Sequence, residues 1–513
     1  MYPSKPKIVK DPYTKLFALA RNFAILSSTE QIIGWDQETY MPSGAITIRS
    51  LQLEQLASLV HKQKTSPAFA KALGKLIDLS TGEILANNLS SRQISAVKEW
   101  RRDYLKMVKL PASFVRTFSK VTSTAIHTWA RAKTENNFRA FAPHLEKIVT
   151  LSRKKAEILG YHDHPYDALL DLYEPEMTSG YLTPLFARLK TSLAQLLKEI
   201  STRPQIRQDF LHQHFPKDKQ IEFSHLVLRA MGFDEKTSRL DLSNHPFCSG
   251  VHPTDTRMTT RIDINYPMSN ILSAIHEGGH GLYNMQRNPE EFGSPLGEPI
   301  SLSIDESQSR WWETRIGRTL SFWRHFFPLM QKSFPEQLQS VTLEDFHRAI
   351  NIVEPTFIRT ESDEVTYSLH IIVRFEIEKA LIDGTLKVKE VPDAWNAKMQ
   401  EYLGITPKTF AEGCLQDIHW SMGGIGYFPT YTLGNLYAAQ FFQAFEREYA
   451  NWEERVSKGE LGFIRDWLRM NIHQYGKEFS AAETVMRISG TPLSEKPFVD
   501  YLRNKYTRLY QLA

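Results

Sequence analysis

A mostly α-helical fold with one short β element is what the sequence predicts, on three observations. Apolar residues recur at three- and four-residue spacing through most segments between breakers, whereas β-branched alternation is confined to residues 255–264. Apolar residues at 42% with 12% aromatics, in 513 residues, supply a large core. Charged residues at 23% argue against wholesale disorder.

In order along the chain, Leu16, Leu19, Ala20, Phe23 and Leu26 predict an opening amphipathic helix from Tyr13. Residues 34–42 read as a polar and aromatic loop ended by Pro42-Ser43-Gly44, with Asp36 and Glu38 as parts of a packed corner. Leu53, Leu56, Ala57 and Val60 mark another helix, and Val97, Trp100, Tyr104, Met107 and Val108 a further one. Residues 113–160 read as two helices with 138–143 between them and Gly160 as the stop. A helix over about 183–200 carries Leu185, Leu189, Leu193, Leu196 and Leu197. The polar run 201–220, with Pro204, His212, His214 and Pro216, divides a single domain into a helical lobe, about 1–220, and a second lobe, about 221–513. Residues 241–247 are turn-rich, and 255–264 read as a strand that could pair with an extended peptide.

Composition narrows the partners. With 62 basic and 58 acidic residues the net charge is +4, too small a bias for a nucleic-acid or membrane-surface binder. No stretch has the length of a membrane span, and residues 1–10 lack a signal-like apolar run. Cys248 and Cys414 are the chain's two cysteines, too few for a disulfide scaffold, so a reducing cytoplasm is expected.

The chemistry-bearing stretch is residues 270–283, which contains His276-Glu277-Gly278-Gly279-His280. On a helix the two histidines lie one turn apart and can share one cation, with Glu277 beside them as base. Zinc in a catalytic site takes three protein ligands and lowers the pKa of the water it holds to about 7. Gly278 and Gly279 each weaken a helix interior by about 1 kcal/mol, which fits a close approach of backbone or substrate. The third ligand must come from elsewhere, because Tyr283 and Gln286 stand where one zincin class has its G-x-x-H extension. Residues 304–313 read as a second helix; Glu306 is the best candidate on it, with Glu298 and Glu313 as rivals.

With Glu306 in place the constellation resembles the carboxypeptidase Taq family of zinc metallocarboxypeptidases, over nearly the whole chain. The matching stretches are Trp35-Asp36-Gln37, His245-Pro246-Phe247, Asp255-x-Arg257-x-Thr259-Thr260-Arg261, the histidine motif, and Asp305-Glu306-Ser307-Gln308. Two more are Ile358-Arg359-x-Glu361-x-Asp363-Glu364 and His419-Trp420-Ser421-x-Gly423-x-x-Gly426-Tyr427-Phe428-Pro429. Gly278 and Ser362 depart from the family pattern, and neither is a proposed ligand. The resemblance implies a zincin-type helical metallopeptidase with two lobes around a deep groove and a small sheet near the active site. It further implies a homodimer that removes residues one by one from peptide C-termini with broad tolerance. It carries the zinc ligands onto His276, His280 and Glu306 and the base onto Glu277, with cobalt as a possible substitute metal.

Cutting at a free C-terminus needs a group for the terminal carboxylate, and a guanidinium provides two parallel hydrogen bonds. Arg359 is favoured by the resemblance, against an ordinary ion pair to Asp363 at i,i+4; Arg257 and Arg261 are rivals, and His245 is a possible substrate contact. His419 and either Tyr427 or Tyr431, in the glycine-rich stretch 423–426, are candidates to hold the oxyanion. The competing readings are a zinc oligopeptidase that cuts internally, and a helical scaffold with a vestigial histidine pair.

Overall fold

The structure is a computed structural model that describes residues 11–512, so the expectation for residues 1–10 lies outside it. Among the described residues the chain forms 21 α-helices and one three-stranded sheet. No helix is long and apolar enough to cross a membrane.

The opening helix spans Pro12–Thr39, with Pro12 in its first turn and the Asp11 side chain accepting from Thr14 N at 2.9 Å. It therefore runs through residues 34–39, where a loop is expected. Tertiary contacts override the weak local signal there. Trp35 is buried under the guanidinium groups of Arg239 and Arg257, 4.8 and 4.6 Å from its ring, and Asp36 pairs with Arg49 of the next helix, Ile46–Lys64, at 2.6 Å. Of the expected packed corner, only the chain end at residues 40–45 is non-α.

A second boundary also moves. Helices Ala112–Thr134 and Phe138–Leu159 break at residues 135–137, where the Asn137 side chain caps Ala140 N at 3.2 Å. Residues 138–143 lie inside the second helix because Phe138 and Phe141 are core side chains. The helix expected at 183–200 spans Ser179–Ser201.

The sheet consists of β1 (Ser238–Leu242), β2 (Cys248–His252) and β3 (Asp255–Thr260), in the order β1-β3-β2. β3 pairs in parallel with β1 and antiparallel with β2. The predicted strand thus ends at Thr260 rather than 264, and Asp241 and Leu242 belong to a strand rather than to a loop. Because β3 is central, both of its edges are used and it cannot pair with a peptide; β2 is the edge strand on that side.

Buried apolar side chains form two clusters. The smaller joins the opening helix to Phe69, Leu73, Val97 and Trp100, and the larger draws on residues from Ala125 to Tyr510. Within the larger one, helix Pro267–Gln286 packs against helices Lys217–Met231 and Leu302–Arg310 and strands β2 and β3. Helix Pro429–Glu448 also packs against Leu302–Arg310. Large side chains such as Trp311, Trp312 and Trp323 are fully buried around this contact, where truncation of one aromatic costs about 3–5 kcal/mol.

Candidate metal centre

Helix Pro267–Gln286 is aimed by buried hydrogen bonds at its start. Thr260 Oγ1, ending β3, donates to Asn270 Oδ1 at 2.8 Å, and Asn270 Nδ2 donates to Ser224 Oγ at 2.9 Å. His276 and His280 then lie one turn apart, their ring centroids 5.2 Å from each other. Helix Leu302–Arg310 brings Glu306 to them: Oε2 is 3.8 Å from His276 Nε2 and 3.5 Å from His280 Nε2. One donor atom from each of the three lies within 4.8 Å of the other two.

A carboxylate stands behind each ring. Glu313 Oε2 is 2.9 Å from His276 Nδ1, and Asp305 Oδ1 is 3.1 Å from His280 Nδ1. The carboxylate hydrogen-bonded to His276 Nδ1 fixes that ring's orientation and tautomer, so that Nε2 presents its lone pair toward Glu306; Asp305 stands close to His280 Nδ1 without hydrogen-bond geometry. Glu277, Asp305, Glu306 and Glu313 surround two imidazoles, with Arg310 as the nearest guanidinium, 2.7 Å from Glu313. This negative surplus and the donor set of two imidazoles and one carboxylate fit a divalent cation.

Two glycines make the spacing possible. A Cβ on Gly279 would lie 2.5 Å from Gln308 O and Ser309 Cα, both backbone, so its absence lets the two ligand-bearing helices touch. A Cβ on Gly434 would lie 2.5 Å from Glu306 Cγ, so helix Pro429–Glu448 is hollowed where the glutamate passes. Beyond Arg310 the helix widens into a π-turn, Trp311–Ile316, which carries Glu313 to His276. Burial raises Glu277 above the usual carboxylate range; the two histidines oppose the shift, and Glu306 and Asp305 reinforce it. Burial works the same way on Glu313, but Arg310 and His276 outweigh it and hold that carboxyl well below the ordinary range.

The candidate carboxylate clamp is assembled from distant segments. Arg359 Nε and Nη2 donate to Asp417 Oδ1 at 3.1 and 2.9 Å, and Nη1 donates to Tyr367 OH at 3.0 Å. Asp417 also receives Arg374 Nε at 2.7 Å. Asp363 is not the partner expected at i,i+4: residues 359–361 form a 3-10 turn, and Asp363 instead caps Thr366 and Val365. One N–H on each of Nη1 and Nη2 of Arg359 is left over. Desolvation, then the charges of Arg359 and Arg261, lower the pKa of His245. Arg257 is engaged elsewhere, its Nε–Nη2 edge forked onto Asp255 at 2.8 and 2.9 Å and its plane on Trp35.

His419 Nε2 is 3.1 Å from Tyr431 OH, and its ring is 5.2 Å from that of Tyr427. Burial, then the charges of Arg359, Arg374 and His245, lower His419 to about 4, against the opposing pull of Asp417, so the ring is neutral at pH 7. Burial and then the charge of Glu306 push Tyr427 up to about 12. Positive φ at Gly423 and Gly426 turns the chain here, and Gly426 N and Trp420 Nε1 are anchored on buried Glu378 at 3.0 and 2.9 Å. Of the rivals for third ligand, Glu313 stands behind His276, and Glu298 bonds Lys477 at 2.7 Å.

A cavity of about 570 Å³ opens beside His280, bordered by Trp35, Cys248, Gly250, Asn284 and Asp305. The Cys248 thiol there is pushed well up by burial and then by Glu277. Sequence reading missed Asp417, Arg374, Gly434 and the position of Asp305 and Glu313 behind the imidazoles. Only Asp305 carried a local signal, as the neighbour of Glu306.

Residues 15–506 match the family model described as carboxypeptidase Taq (M32) metallopeptidase. The chain is 40% identical over 510 residues to thermostable carboxypeptidase 1 of Thermus thermophilus, covering 97% of this chain and 99% of that protein. Carboxypeptidase 1 of Bacillus subtilis is 36% identical over 501 residues, covering 97% and 98%. The crystal structure of the M32 carboxypeptidase from Deinococcus radiodurans R1 superposes with a TM-score of 0.94 at 34% identity, covering 98% of this chain and 99% of that one.

Proposed function

The chain belongs to the carboxypeptidase Taq (M32) metallopeptidase family and is a peptide hydrolase of the metallocarboxypeptidase kind; from that premise we propose that it is zinc-dependent and frees single amino acids successively from peptide C-termini, with broad side-chain tolerance. His276, His280 and Glu306 would hold the ion, and cobalt, which accepts the same donors, would substitute. A bound ion supplies Lewis acidity, which acidifies water and polarises a carbonyl.

Glu277 is the general base in this reading. It accepts the proton of the attacking water and delivers it to the leaving amine, and the upward push that burial gives its carboxyl suits both roles. Arg359, Arg261 and His245 receive the terminal carboxylate, the first through the N–H groups that Asp417 and Tyr367 leave over. Neutral His419 donates to the developing oxyanion, with Tyr427 as its companion. Support for Tyr427 over Tyr431 is that Glu306 is its strongest charged neighbour, while the Tyr431 hydroxyl is taken by His419.

The observation that carries the reading is the cluster of three donor atoms within 4.8 Å, on helices that also bring a carboxylate behind each imidazole. The test is metal analysis of the purified protein together with timed release from one defined peptide. One zinc per chain and stepwise release from the C-terminus are expected; loss of neither metal nor activity on exhaustive chelation overturns it.

Internal cleavage is the second reading, and the pairing of Arg359 with Asp417 favours it. A peptide amidated at its C-terminus separates the two, since it resists a carboxypeptidase and is cut by an oligopeptidase. A homodimer belongs to the proposal as well. It is supported by the apolar side chains that Ile46–Lys64 and the opening helix leave in solvent, including Ile25, Ile46, Ile48 and Leu51, and sedimentation would test it.

A further inference from the structure

A second cavity, of about 590 Å³, lies at the C-terminal end of helix Pro267–Gln286. Cavities of roughly 300–1,000 Å³ are those that hold small organic ligands. This one is bordered by Arg92, Arg287 and Arg469, with Gln286, Asn288 and Tyr475 between them, and no aspartate or glutamate contributes to its wall. Three arginines bordering one space carry like charges that repel one another unless an anion lies between them.

Their hydrogen bonding is incomplete. Arg92 Nη2 and Arg287 Nε are buried without a partner. Arg287 spends Nη1 on Gly297 O at 2.8 Å and Nη2 on the Asn284 side chain, which fixes the guanidinium and leaves Nε to spare. Among the described residues Arg92 Nε pairs with Glu478 at 3.1 Å, whereas Arg287 and Arg469 form no ion pair, although the charges of Asp305 and Glu298 act on Arg287. A buried donor without an acceptor is costly, more so when charged, so the wall is complementary to a group rich in acceptor oxygens.

The arrangement also distinguishes between anions. A carboxylate has two oxygens and is satisfied by one fork, whereas a phosphate presents three or more oxygens in a tetrahedron and can take donors from several directions. Three arginines from separate parts of the chain, residues 92, 287 and 469, match the second pattern. Tyr475 adds a flat apolar surface, its ring braced by Arg487 at 4.3 Å and by the Phe479 ring at 5.5 Å. We propose that this cavity is a second ligand site, separate from the metal centre, which binds the phosphate group of a small molecule between Arg92, Arg287 and Arg469.

The test is calorimetric titration of the metal-loaded full chain at low salt with inorganic phosphate, inorganic pyrophosphate and adenosine 5′-monophosphate. At least one probe should bind with Kd below about 1 mM. Tightest binding of phosphate or pyrophosphate identifies a free anion as the natural source, and tightest binding of the nucleotide a phosphorylated organic molecule. Arg469 is exposed and outside the metal centre, so Arg469→Glu should fold and hydrolyse peptides as the wild type does, while weakening the probe at least about tenfold. Arg92→Ala should weaken it in the same sense. Absence of binding by all three probes up to about 10 mM overturns the proposal. So does binding that is unchanged in Arg469→Glu, or that vanishes in Glu306→Gln, since the anion would then sit at the metal centre.

Discussion

The metal side and the clamp side of the candidate site are built in opposite ways. On the metal side all three candidate ligands come from two adjacent helices, and each imidazole has one carboxylate behind it, so charges are paired locally. On the clamp side one half-buried carboxylate, Asp417, holds two buried guanidinium groups from helix Tyr367–Asp383 and the turn before it. The first arrangement can lose a side chain and remain folded. In the second, chemistry and stability rest on the same ion pairs, because an unpaired charge in the interior is the most expensive kind of defect.

Substitutions on the two sides should therefore fail differently. Glu277→Gln should lower kcat by about 10²–10⁴-fold with metal content and Tm unchanged; near-normal turnover would remove Glu277 as the base. Asp417→Asn should destabilise the fold by about 3–5 kcal/mol, read as a lowered denaturant midpoint, and an unaltered midpoint would erase the contrast between the sides. Glu313→Gln should loosen the metal by about 10–100-fold in a chelator competition without comparable unfolding. Arg359→Lys keeps the charge but loses the fork, and should raise KM for free-C-terminus peptides by about tenfold with a smaller change in kcat; an unchanged KM would remove Arg359 as the clamp.

The smallest effect is on pH dependence. Burial, aided by Arg359, Arg374 and His245, holds His419 at about 4, and burial with Arg287 holds His473 at about 3. In the unfolded chain both titrate near ~6.5. Between those values the unfolded chain takes up protons that the folded chain refuses. The stability from the neutral rings is therefore complete above about pH 6.5 and is lost as the pH falls toward 4. His473→Gln should flatten the decline in denaturant midpoint between pH 7 and 5 relative to the wild type; an equally steep decline would mean that His473 does not contribute.

The same contrast explains what could be read from the residues alone. His276, Glu277 and His280 follow helical periodicity, and Glu306 needed only a second helix and a missing ligand to be singled out. No periodicity relates Asp417 to Arg359, 58 positions away, so its role as their common counter-ion was invisible. Residues 34–39 were misread because Gly34 and the polar side chains beside it favour a loop locally, while two arginines stacked on Trp35 decide the matter from strands more than 200 positions later. The sheet was half legible: β3 alternates as a strand should, yet its central position, which denies it to a peptide, follows from partners that carry no such pattern.

Gly279 and Gly434 bear on any attempt to transplant this chemistry. Grafting the two histidines and the glutamate onto other helices would reproduce the donors but not their separation, since ordinary helices pack about 8–10 Å apart, held off by their Cβ atoms. Two absent methyl groups set how near the donors come, so a designed copy must carry over these empty positions along with the residues that fill the rest.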